Sequence, residues 1–275
     1  MHAVILSLAA LIGAAASPAP SPSPSPSPSA PSDPCGSILS IVTRPTVTTS
    51  VCTVRPHNVL IEGGYSNTQT TGAGGGTSVA YPQAYLRFGT SDPRLEFDVT
   101  PPSTNASSVG GTTAGGASDV GLGAKYELGY SVRWLYGVNA AITYPTGSRA
   151  FSAGADQYAG NFNWSYTVNQ VIGLSGTMGF NSLSGFDAAN VPQSYFAFVP
   201  SFVASASLPG PSEFYVEYTY FTQAGVGLGG KNLIDSAFLR DFGNSIQLDV
   251  EYGFSPTLLD GQRQHYLGAG ASFMF

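Results

Sequence analysis

From residue 57 onward the chain alternates, apolar at one position and polar at the next, in successive short runs. In 244–254, Ile246, Leu248, Val250, Tyr252 and Phe254 fall on one side, with Gln247, Asp249 and Glu251 on the other. In 93–100, Leu95, Phe97 and Val99 oppose Arg94, Glu96 and Asp98. In 119–129, Val120, Leu122, Ala124, Tyr126 and Leu128 oppose Asp119, Lys125 and Glu127. In 132–144, Trp134, Tyr136, Val138, Ala140, Ile142 and Tyr144 share a side that is aromatic at both ends. A period of two belongs to strands whose faces meet different surroundings. The pattern predicts twelve strands, at 57–66, 79–89, 93–100, 119–129, 132–144, 157–169, 170–181, 194–206, 213–222, 231–241, 244–254 and 264–275. The strand at 231–241 alternates least well, because Leu233 and Ile234 are adjacent. Most have the ~9–11 residues with which a tilted strand crosses a bilayer.

The predicted connections alternate in length. Long ones fall at 67–78, 101–118, 145–156, 182–193, 223–230 and 255–263, and short ones at 90–92, 130–131, 169–170, 207–212 and 242–243. Bacterial barrels have short periplasmic turns and long outer loops, and an even strand count leaves both ends of the barrel on the periplasmic side. The final run places Leu267, Ala269, Ala271, Phe273 and Phe275 on one face. An aromatic at Phe275 suits the interface girdle, and this strand is the one expected to engage the barrel-assembly machinery.

Composition sharpens the choice of solvent. Charged residues make up 9% of the chain, against about 25% in soluble domains. Beyond the N-terminus no run reaches the ~18 apolar residues of a membrane helix. A soluble barrel with the same period would bury its apolar face and expose its charges; strand length, low charge and the aromatic last strand argue against it. The expectation is all-β: a monomeric transmembrane antiparallel up-and-down β-barrel of about twelve strands, in contact with the outer-membrane lipid of a Gram-negative bacterium. The net charge of −6 and the lack of a basic stripe argue against nucleic acid as a partner.

The N-terminus divides into three parts. Residues 1–16 read as a secretory signal, with an apolar core over 3–16 and small residues at Ala14–Ala16. Residues 17–34 alternate Ser and Pro, a disordered and extended linker. Residues 35–56 are bracketed by Cys35 and Cys52, which an oxidising periplasm would join in a disulfide worth roughly 3 kcal/mol in loop entropy. Only His57 lies near them, too few ligands for a metal. The apolar stripe in Ile38–Pro45 makes this segment a candidate plug or cap for a barrel at 57–275.

The run Leu86-Arg87-Phe88-Gly89-Thr90-Ser91-Asp92-Pro93-Arg94-Leu95-Glu96, with Asp119–Tyr126 and Tyr144–Ser148, resembles the outer-membrane transporter family named for the MetA pathway of phenol degradation. The resemblance covers about 57–275. It implies an exported barrel that admits hydrophobic, including aromatic, compounds, and it brings no established substrate residues.

Strand parity assigns a lumen wall of Glu62, Tyr81, Tyr85, Arg87, Arg94, Glu96, Asp98, Lys125, Glu127, Arg133, Glu217, Asp249 and Glu251. Arg87, Arg94 and Glu96 are expected to form a network across the second short turn. Pairing inside a narrow barrel pins strand register before it serves any solute. The loops 67–78 and 101–118 have no charged residue and are rich in Gly, Ser and Thr, which predicts mobile outer loops. Downstream of the signal the histidines are His57 and His265, at opposite ends of the predicted wall, and no Gly-x-Ser-x-Gly accompanies them. The reading is therefore a passive channel for small hydrophobic or aromatic molecules, without enzyme activity or cofactor. The competing reading is a structural or adhesive surface protein with a closed lumen.

Overall fold

The computed structural model describes residues 33–72, 74–187, 189–256 and 262–275. The signal expected at 1–16 and nearly all of the linker expected at 17–34 lie outside them. Fifteen strand segments follow in order: β1 Val59–Thr71, β2 Gly76–Tyr81, β3 Tyr85–Gly89, β4 Leu95–Thr100, β5 Thr104–Val109, β6 Thr112–Ala117, β7 Val120–Tyr130, β8 Trp134–Tyr144, β9 Gln157–Thr167, β10 Ile172–Phe186, β11 Pro192–Leu208, β12 Ser212–Phe221, β13 Lys231–Phe242, β14 Ile246–Ser255 and β15 Arg263–Met274. Three staves are each broken in two (β2 with β3, β4 with β5, β6 with β7), so the wall has twelve staves. Every pairing is antiparallel, and β15 returns to β1 in a continuous ladder from Leu60↔Met274 to Thr71↔Arg263. The expected closed, twelve-stranded, up-and-down barrel is what the chain forms.

The breaks have a local cause. Pro82, Pro101 and Pro102 cannot donate to a ladder and sit in the gaps between segments. Along β1, Ser66 pairs with Ala80 but Glu62 pairs with Tyr85, so the three residues between them on one side face four on the other. The extra residue is a bulge, and it exchanges the inner and outer faces. Tyr81 consequently points outward and is exposed, which corrects its expected place on the lumen wall.

Above the breaks the chain keeps pairing where mobile loops were expected. Residues within 67–78 and 101–118 form the ladder β1–β2–β5–β6. What turns the chain is short: Gly110 and Gly111, at φ 57° and 83°, form the two-residue turn between β5 and β6, the backbone that only glycine adopts freely. Uncharged Ser, Thr and Gly fit a two-sided, solvated ribbon as readily as a loop, so composition misled here.

Outside and inside are exchanged relative to a soluble barrel. Phe97, Leu122, Phe196, Leu248, Val250 and Leu267 are exposed on the wall, whereas Glu62, Arg87, Glu96, Lys125, Glu217 and Asp249 are buried within it. Near the short turns Trp134, Tyr136, Phe162, Trp164 and Tyr166 form one aromatic cluster, with Trp134 and Tyr166 centroids 4.5 Å apart. Such a girdle with an apolar band marks a membrane face. A charge there is costly: Val250→Arg, at mid-strand on β14, is expected to lose about 2–4 kcal/mol. Urea unfolding in lipid vesicles checks this, with Val250→Leu as the neutral control.

Candidate functional site

Residues 33–58 lie inside the barrel at the short-turn end. A single helical turn, α1 Ile38–Ile41, is capped by the Ser37 hydroxyl, which accepts the Ser40 N–H at 3.2 Å. Cys35 and Cys52 are joined, Cα atoms 5.4 Å apart. Ile38, Ile41, Val51 and Val54 pack with Leu60, Leu135 and Met274 of the wall into one apolar cluster. A small helix with a disulfide thus occupies the space that the wall's own side chains leave open.

The wall holds this insert mainly by its backbone. Glu62 accepts the N–H groups of Thr43 (3.1 Å) and Arg44 (2.8 Å). Glu96 accepts that of Val54 at 2.6 Å. Glu217 accepts those of Val47 (2.8 Å) and Thr48 (2.6 Å). Carboxylate bonds to backbone N–H are charge-assisted and strong. Arg87 works in the other direction, donating to the carbonyls of Ile41 (2.6 Å) and Cys52 (2.9 Å).

Arg87 is also the hub of the wall's ion pairs. Its guanidinium lies 2.9 Å from Glu62 and 2.8 Å from Glu96, and Lys125 Nζ lies 3.0 Å from the same Glu96 oxygen. All four side chains are inaccessible to solvent. Strands β1, β3, β4 and β7 each contribute one member, because Glu62, Arg87, Glu96 and Lys125 share the inner parity of neighbouring staves. A second contact joins the insert to the far side, where Arg44 lies 3.4 Å from Asp249 and 4.0 Å from Glu251. Gly64 and Gly270 are register partners beneath it; a Cβ on either would collide with the Arg44 guanidinium. These two glycines make the niche in which that cation lies.

Comparison with solved structures places this geometry. The chain is similar to the COG4313 outer membrane channel from Pseudomonas putida F1, with TM-score 0.60 at 12% identity over 82% of this chain and 98% of that one. It is also similar to the NanC porin, with TM-score 0.52 at 10% identity over 78% of this chain and 98% of that one. The fold is that of an outer-membrane channel. No family model and no curated protein matches the sequence. An inverted wall on this fold places the protein in the outer membrane.

Within the channel fold, the predicted wall residues divide. Tyr85, Arg87, Glu96, Asp98, Lys125 and Glu127 lie on the inner face of β3, β4 and β7, and Glu217, Asp249 and Glu251 on that of β12 and β14. Tyr85 lies beside Arg87, whose guanidinium carbon is 5.9 Å from its ring. Two more expected members are elsewhere. Arg94 precedes β4 in the turn, half-exposed at 51%, with its Nε 3.9 Å from Asp92 and its guanidinium over Tyr126 at 5.1 Å. It takes no part in the network expected for it, because strand parity does not extend through a turn. Arg133 is likewise an exposed turn residue, donating to the Tyr166 hydroxyl at 3.2 Å.

Several inner-face residues escaped the sequence reading. Asp235 is buried on β13, facing Glu217 in register. An uncharged ladder crosses three staves: Asn163 donates to Asn139 at 2.7 Å, Thr177 to Asn163 at 2.8 Å, and Thr49 N–H to Thr177 at 3.0 Å. Amides and hydroxyls carry no charge to mark a lumen face, and Asp235 lies on the strand whose alternation is weakest. His57 precedes β1 at the short-turn end, while His265 lies toward the other rim, opposite Gln69 and 2.8 Å from the Tyr252 hydroxyl.

Proposed function

We propose that this protein is a passive outer-membrane channel of a Gram-negative bacterium for small hydrophobic or aromatic molecules, obstructed in its periplasmic half by residues 35–56. The observation that carries the reading is a closed wall of twelve staves whose polar interior is filled, toward the short turns, by a separate piece of chain. About eight staves already suffice to hold a small ligand, so twelve enclose more than side chains alone can fill. The sequence resemblance to the MetA-pathway transporters supplies the solute class. Tyr85, Arg87, Glu96, Asp98, Lys125, Glu127, Glu217, Asp249 and Glu251 are the wall residues proposed to act in both register and passage. An export signal, a Ser/Pro tether and recognition of the last strand by the assembly machinery complete the proposal; no enzymatic step or cofactor belongs to it.

Refolding the chain into liposomes and following phenol against a sugar of similar size tests the solute. Selective aromatic flux is expected. Equal flux would make it a general pore. The seal that the insert forms favours one competing reading, a structural or adhesive barrel, and absence of flux both with and without 35–56 would select it.

A further inference from the structure

The insert does not fill the short-turn end evenly. Between it and the inner face of β8–β13 lies a cavity of about 460 Å³. At one end the cavity reaches Pro34 and the turn Ser131–Arg133, the periplasmic mouth. At the other it stops against Thr46, Thr48 and Thr49. Its wall carries the hydroxyls of Ser165, Ser175 and Ser205 beside Val203 and Leu239.

Thr46–Thr49 roofs this space. Thr46, Thr48 and Thr49 border the cavity, while Val47, between Thr46 and Thr48, does not and is exposed at 38%. The roof rests on three staves. Thr49 N–H donates to Thr177 Oγ1 at 3.0 Å, the Thr48 hydroxyl lies 2.6 Å from that of Ser201, and Glu217 accepts the Val47 and Thr48 N–H groups. Thr177 and Ser201 are register partners two residues above Ser175 and Val203, so the attachment lies directly over the cavity. The rest of the insert is anchored differently, by the disulfide, the apolar cluster and the Arg87 hub.

We infer that this cavity is the periplasmic vestibule of the solute route, and that Thr46–Thr49 is the barrier between it and the upper lumen, held shut by Glu217, Ser201 and Thr177. The inference rests on the channel reading above and adds the path. The solute crosses on the β10–β12 side while the body of the insert stays in place. Hydroxyls beside apolar side chains suit neutral, partly apolar molecules, and Arg44, Arg133 and Glu213 on the same lining give it charge of both signs.

Ionic current in planar bilayers tests the barrier without reference to any solute. Glu217→Ala with Thr177→Ala is expected to raise KCl conductance several-fold over wild type, while remaining below the 35–56 deletion. Thr177→Ala with Ser201→Ala keeps the Glu217 attachment and is expected to give a smaller rise; it guards against a misfolded first variant. Adding Ser175→Trp to the released form fills the vestibule and is expected to return the current toward wild type. Wild-type conductance in both released forms while the deletion conducts would overturn the inference, as would an undiminished current with tryptophan in place. Current that depends on the Thr46–Thr49 barrier, without aromatic flux in vesicles, would remove the proposed solute and leave the barrier standing.

Discussion

Arg87→Met is expected to lower the unfolding free energy of the barrel by about 3–5 kcal/mol, the cost of removing one partner from a buried charge network. The guanidinium contacts Glu62 and Glu96 and donates to two carbonyls of the insert. Methionine fills similar volume but leaves both carboxylates in a site without solvent. Lys125 still faces Glu96, so the deficit falls chiefly on Glu62, which keeps only the insert's N–H donors. Arg87→Lys is expected to recover part of the loss, because one ammonium cannot present the planar fork that reaches both acids. Arg87→Met with Glu62→Gln is expected to recover more, by removing the stranded charge. Urea unfolding of the refolded barrel in lipid measures all three. A loss below about 1 kcal/mol, the size of an exposed pair, would mean that water reaches the network and that Arg87 is no hub.

Deleting 35–56 is expected to raise single-channel conductance by about tenfold, since twelve staves surround a lumen wider than the side-chain-filled interior of eight. The deletion exposes Leu60, Leu135 and Met274 to water, a modest cost. It also rehydrates Glu62, Glu96 and Glu217, whose backbone donors it removes. The wall ladders are untouched, including the β1–β15 closure. The deleted form should therefore fold and conduct, and unchanged conductance would show that the constriction lies elsewhere in the lumen.

Much of this wall was readable from period and turn length, and the failures have physical causes. A twelve-stave count survives because each stave needs its own apolar stripe and its own turn, whatever bulges it carries. The face of a particular residue survives only while pairing stays regular. Tyr81 was lost to a single extra residue near Pro82, and Arg94 and Arg133 to turns, where side chains obey no strand parity. The weak alternation at 231–241 has a cause in the insert. Leu233, Ala237 and Leu239 face inward with Asp235 and Asp241, and Leu39 of the insert packs against the Ala237–Leu239 patch. An apolar residue on a lumen face makes sense only once something is known to fill that lumen. Arg44, which pairs with Asp249 and Glu251 of the far wall, was invisible for a related reason: no period links it to Asp249, 205 residues away.

The insert's partners are spread along the whole chain. It bonds to Glu62 and Arg87 of the early staves and to Ser201, Glu217 and Asp249 of the late ones. Early and late staves are therefore tied to one another through this segment as well as through their neighbours, as spokes that meet the rim on both sides of the seam between Val59–Thr71 and Arg263–Met274.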